Sequence, residues 1–106
     1  MPEDEKRTAH RALVDRIRHG AGTTSPRERD RAFRDTDVPP PLRTLIDKVV
    51  TRPAQITDQD FRAAEAAGFS EDQLFELVVA AAVGRSSRIY EAGLAALAEA
   101  TGGETG

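Results

Sequence analysis

Glu76, Arg85, Arg88 and Tyr90 are the side chains of this sequence whose types and spacing best fit chemistry. Glu76 interrupts the most apolar stretch of the chain, Leu74 to Val83, and a carboxylate that faces a core needs a partner or a shifted pKa. Arg85, Arg88 and the phenol of Tyr90 follow shortly after. Together the four form a candidate pocket for an anionic ligand or an acid-base group. The competing reading is structural: Glu76 faces solvent or pairs with an Arg across a subunit boundary.

Other constellations lead less far. His10 and His19 are the only histidines; at about 100° per residue they fall on opposite faces of one helix and cannot share a metal. The run Gly20-Ala21-Gly22-Thr23-Thr24-Ser25 has the small, hydroxylated character of a phosphate loop beside a helix start. It lacks the preceding strand and the Lys of a P-loop, so it reads as a helix stop and a loop. Asp58, Asp60, Glu71 and Asp72 occupy expected first turns, where they complement the helix dipole rather than pair for catalysis. With 0 Cys, thiolate catalysis, zinc-thiolate sites and disulfides are excluded. No cofactor and no metal site is expected.

Composition narrows the partners. Of 106 residues, 22 are Leu, Ile, Val or Phe, and 17 of these lie in residues 42–100. Residues 1–52 carry a net charge of +3 and residues 53–106 one of −6, so the halves attract each other, within a chain or between chains. The front-half Arg residues are interleaved with acids, as in Arg27-Glu28-Arg29-Asp30-Arg31. A phosphate-binding face shows a stripe of one sign, so nucleic acid is disfavoured as a partner. No run is apolar enough for a membrane span, and Met1 to Glu5 is acidic where a secretory signal is basic, so no membrane partner and a cytoplasmic location are expected. Arg outnumbers Lys 13 to 2, the coding bias of a GC-rich, bacterial genome.

The elements that must position these groups are helical throughout. An amphipathic helix over 5–19 ends at Gly20 and Gly22; Ser25-Pro26-Arg27-Glu28 caps a second, short helix anchored by Phe33. Val38-Pro39-Pro40-Pro41 is a stiff connector, its last Pro opening a third helix that carries Leu42, Leu45, Ile46, Val49 and Val50. Thr57 with Asp60 caps a fourth helix that Gly68 ends, and Ser70 with Gln73 caps a fifth over Glu71 to Val83. The fifth is apolar nearly all round and is expected to be central, with Gly84, Ser86 and Ser87 marking a break or kink. Beyond it Ile89, Gly93, Ala96 and Ala100 share a line, with Tyr90, Leu94 and Leu97 beside it, and small residues there admit another helix closely. No period of two persists, so the fold class is all-α with five to six helices. The chain reads as one domain: polar N-terminal helices and connector over 1–41, a helical core over 42–100 and a flexible tail over 101–106.

Residues 56–97 carry a family likeness. Ile56-Thr57-Asp58-Gln59-Asp60, then Ala66-Ala67-Gly68-Phe69-Ser70-Glu71-Asp72-Gln73-Leu74-Phe75-Glu76-Leu77, then Ala80-Ala81-Ala82-Val83-Gly84 resembles the carboxymuconolactone decarboxylase and alkylhydroperoxidase D-like superfamily. The resemblance implies an all-helical hairpin core that assembles into dimers, trimers or hexamers. Peroxidase members use a C-x-x-C pair with a nearby His on the preceding helix, where this chain reads Leu42 to Val50 with neither Cys nor His. The fold carries over in this reading and the redox chemistry does not. The expectation is therefore a non-redox helical subunit that forms a homo-oligomer or binds a protein partner. The alternatives are a small-molecule decarboxylase or isomerase using Glu76, Arg88 and Tyr90, and a nucleic-acid-associated protein.

Overall fold

In the computed structural model residues 2–105 are described, with side chains over 5–102. Five helices follow one another: α1 Pro2–His19, α2 Pro26–Arg34, α3 Pro40–Thr51, α4 Asp58–Ala66 and α5 Glu71–Thr105, with a 3-10 turn at Pro53–Gln55 between α3 and α4. No strand occurs among the described residues, and the fold is all-α.

The helix starts follow local chemistry. Ser25 Oγ accepts from the Glu28 amide at 3.1 Å. Thr57 and Asp60 form a reciprocal capping box, and Ser70 and Gln73 exchange amide bonds at 2.9 and 3.1 Å. Each satisfies amides that a helix start leaves open. The stiff connector is shorter than its four residues suggested, because Pro40 and Pro41 both enter the first turn of α3, where a missing amide costs nothing. Asp35 and Asp37 make the turn before it with φ of 54° and 52°, a left-handed conformation that Asp tolerates better than most residues.

Leu42, Leu45, Ile46 and Val49 line one face of α3 and pack against Leu74, Leu77, Ala80 and Ala81 of α5, with Ala32 and Ala64 closing the core from α2 and α4. Phe33, the expected anchor of α2, is only half-buried and lies 5.0 Å beneath the Arg18 guanidinium. Arg29 anchors that helix instead. It is 4% exposed and donates from Nη1 to the Ile17 carbonyl at 3.0 Å and from Nη2 to the Gly20 carbonyl. Those are the carbonyls that the end of α1 leaves without intrahelical amides. Arg29→Ala removes that cap and opens a void, so a loss of about 2 to 3 kcal/mol is expected in urea unfolding followed by circular dichroism.

Two expectations are corrected at α5. The helix is continuous from Glu71 to Thr105, with no break at Gly84, Ser86 or Ser87. Gly84 serves proximity: a Cβ there would overlap the carbonyl oxygen of Phe33 and sit 2.7 Å from its carbon, so α2 crosses α5 at that residue. The tail expected over 101–106 is helical to Thr105, and Gly106 lies outside the described residues. As expected, α5 is central and packs against α1, α2, α3 and α4, although one side of its first half stays open. Leu74, Leu77, Ala80, Ala81, Gly84 and Ser87 are buried on one side, while Phe75 is 68% exposed on the other. At about 1.5 Å per residue α5 is about 52 Å long, close to the 56 Å long axis of the molecule. The radius of gyration of 16.3 Å accordingly exceeds the value of about 13 Å for a compact chain of this length.

Candidate functional site

The structure separates the four candidate pocket residues. Glu76 lies twelve residues before Arg88, about 18 Å along one helix, and points into the α1–α2 loop. Its Oε2 accepts from the Thr23 amide at 2.7 Å and from the Thr23 hydroxyl; its Oε1 accepts from the Thr24 amide at 3.1 Å and the Thr24 hydroxyl at 2.8 Å. Partial burial pushes the carboxyl pKa up, and these four donors outweigh it, holding the pKa down at about 2. Gly22 permits the arrangement, since a Cβ there would stand 3.0 Å from Cδ of Glu76 and closer still to Oε1. The phosphate-like loop thus holds an anion, and the anion belongs to the chain itself. Among the described residues no Arg pairs with Glu76. Hydroxyls and amides more than fifty residues away take that place, which no spacing rule reveals.

Arg85 is half-buried and has no ion-pair partner among the described residues. Arg88 donates from Nη1 to the Phe33 carbonyl at 2.7 Å, which ties α5 to the end of α2. The Tyr90 ring lies 4.9 Å from that of His10, and His10 Nε2 is 3.2 Å from the hydroxyl of buried Ser87. Arg88 and Tyr90 therefore share a cleft between α1 and α5 that includes neither Glu76 nor Arg85. His19 is exposed at the far end of α1. Among the described residues no group of three or more His, Asp or Glu is placed to hold a metal, and no helix is long and apolar enough to cross a membrane.

The charged halves of the chain do meet. Lys48 of α3 binds both carboxylate oxygens of Asp60 in α4 at 3.0 and 2.9 Å. The Thr57 backbone amide and then the Lys48 ammonium hold the Asp60 carboxyl below its ordinary range. Asp30 takes Arg18 at 2.6 Å and Arg34 at 3.0 Å. Partial burial raises its pKa, and the two guanidinium groups bring it below the ordinary value. The arginines of α1 and α2 are accordingly divided: Arg18 and Arg34 hold Asp30, Arg29 holds backbone carbonyls, and Arg7 and Arg11 line the α1–α5 cleft beside Arg18.

The outer side of α5 carries a pattern that the sequence reading found only in part. Phe75, Val79, Ala82, Ser86, Ile89, Gly93, Ala96 and Ala100 recur at alternating spacings of four and three, the a/d repeat of a helix seam. None of the eight is buried; Ile89 is 60% exposed, as is Leu97 beside the stripe. The distal half of this stripe was visible as the line of Ile89, Gly93, Ala96 and Ala100. Its proximal half was hidden, because a helix apolar on both sides does not show which side the chain will cover. No family model, no curated protein and no solved structure matches the chain.

Proposed function

We propose that this chain is a non-redox, self-associating helical subunit, two copies of which pair through the outer stripes of α5 in antiparallel orientation. The observation that carries this reading is the a/d repeat on the side of α5 opposite the core, whose Ala82 to Ala100 part forms the seam, with Ile89 60% exposed on it and Leu97 60% exposed beside it. Exposed apolar surface of that continuity marks an association site, and the Ala, Ser and Gly positions let two helix axes approach closely. Charge selects the register. Setting Ala82 against the partner's Ala100, Ser86 against the partner's Ala96 and Ile89 against the partner's Gly93 brings Arg85 beside the partner's Glu99, twice by symmetry. Neither Arg85 nor Glu99 has an ion pair within its own chain among the described residues. The likeness of residues 56–97 to the carboxymuconolactone decarboxylase superfamily, whose members assemble, points the same way.

Sedimentation equilibrium of the full chain tests this. A dimer is expected at micromolar concentration, and Ile89→Asp gives a monomer with unchanged helicity. Arg85→Glu weakens association about tenfold, and Glu99→Arg in the same chain restores it. A wild-type monomer at 100 micromolar overturns the proposal, and failure of the charge exchange to restore pairing overturns the register.

A further inference from the structure

The α1–α5 cleft is a second feature, independent of the stripe. It has a volume of about 400 Å³, within the range of small-molecule sites. Arg7 and Arg11 lie one turn apart on its α1 wall, Arg88 stands on the α5 wall, and Phe33, Val14 and Leu94 supply apolar lining. Among the described residues Glu91 is the one carboxylate that lines it. Arg18 and Arg88 are already fixed, on Asp30 and on the Phe33 carbonyl. Arg7, Arg11 and the Tyr90 hydroxyl have no hydrogen-bond or ion-pair partner among the described residues. Donors are thus gathered over a greasy floor and left unused.

From this juxtaposition we infer that the cleft binds a small organic phosphate monoester. The phosphoryl oxygens accept from the Arg7, Arg11 and Arg88 guanidinium groups, whose forked donors match that geometry, and an aromatic or short aliphatic body lies along Val14, Leu94 and Phe33. The pre-fixed Arg88 and the packed Tyr90–His10 pair lower the ordering cost of binding, whereas Arg7 and Arg11 close on the head group from a single helix.

Isothermal titration of the full chain at low salt provides the test, with phenyl phosphate, inorganic phosphate and a single-stranded oligonucleotide as probes. Phenyl phosphate is expected to saturate at one per chain and to bind at least tenfold more tightly than inorganic phosphate. The paired change Arg7→Gln with Arg11→Gln is expected to weaken it at least tenfold at an unchanged melting temperature, and Arg43→Gln, an exposed arginine outside the cleft, to leave it unchanged. Absence of saturable phenyl phosphate binding overturns the inference, as does equal binding by the paired variant. Inorganic phosphate binding as tightly as phenyl phosphate overturns the role of the apolar floor. Tighter binding of the oligonucleotide per phosphate, abolished by the same pair, overturns the small-ligand assignment in favour of nucleic acid.

Discussion

Gly84→Ala is expected to destabilise the fold by about 3 kcal/mol, even though Ala is favoured over Gly by about 1 kcal/mol inside a helix. The sign is set by what the new methyl would meet. At Gly84 it meets the Phe33 carbonyl, a backbone group of α2 that cannot swing aside. To admit a Cβ, α2 must lift from α5, which weakens the burial of Ala32 and displaces the carbonyl that Arg88 holds at 2.7 Å. At Gly93 no atom lies within 4 Å of a built Cβ. There Ala should stabilise by up to about 1 kcal/mol when measured in the monomeric Ile89→Asp chain. Urea unfolding of the two variants reads the difference directly. Stabilisation by Gly84→Ala would mean that α2 does not cross where described.

Glu76→Gln is expected to cost about 2 kcal/mol at pH 7, because a neutral amide replaces a charged acceptor that serves four donors and turns its own NH2 toward some of them. The pH dependence follows from the depressed pKa. The folded carboxyl titrates near 2 against an ordinary 4.5, so between those values the unfolded chain binds more protons than the folded one. The stabilisation is complete above the ordinary value and drains away as pH falls towards 2. Unfolding curves at pH 7, 4, 3 and 2 should therefore show the wild type and Glu76→Gln converging as the solution is acidified. Asp30 and Asp60 also titrate low, but they are common to both proteins and cancel in the comparison. A gap that stays constant down to pH 2 would show that Glu76 contributes by shape and not by charge.

The parts of the fold that were legible in the sequence are those whose physics is local. Ser25 with Glu28, Thr57 with Asp60 and Ser70 with Gln73 each place a donor and an acceptor three residues apart, and each produced the expected helix start. The α3 stripe of Leu42, Leu45, Ile46, Val49 and Val50 was equally plain: the first four are buried and Val50 is half-buried against them. Gly84 was misread because a glycine carries the same letter whether it ends a helix or lets another helix touch it. Only the path of α2 decides between the two. α1 does end at His19, before Gly20 and Gly22 as expected, but the second role of Gly22, as a seat for Glu76, leaves no mark in the sequence. The anchoring of α2 by Arg29 was missed because a charged residue in a charged run gives no sign of burial. The partners of Glu76 are not legible in the sequence, because the cations near it in the chain do not serve it, whereas hydroxyls and amides satisfy the carboxylate from more than fifty residues away.

That internal carboxylate also has a bearing on what the Gly22 to Ser25 loop can recruit. A ligand tethered on the same polypeptide competes at an effective concentration in the millimolar range or above, and it loses no translational freedom on binding. Nucleotides and sulfate free in solution meet a seat that is permanently taken. The loop works as a latch whose key is built in: its donors are already spent on Glu76.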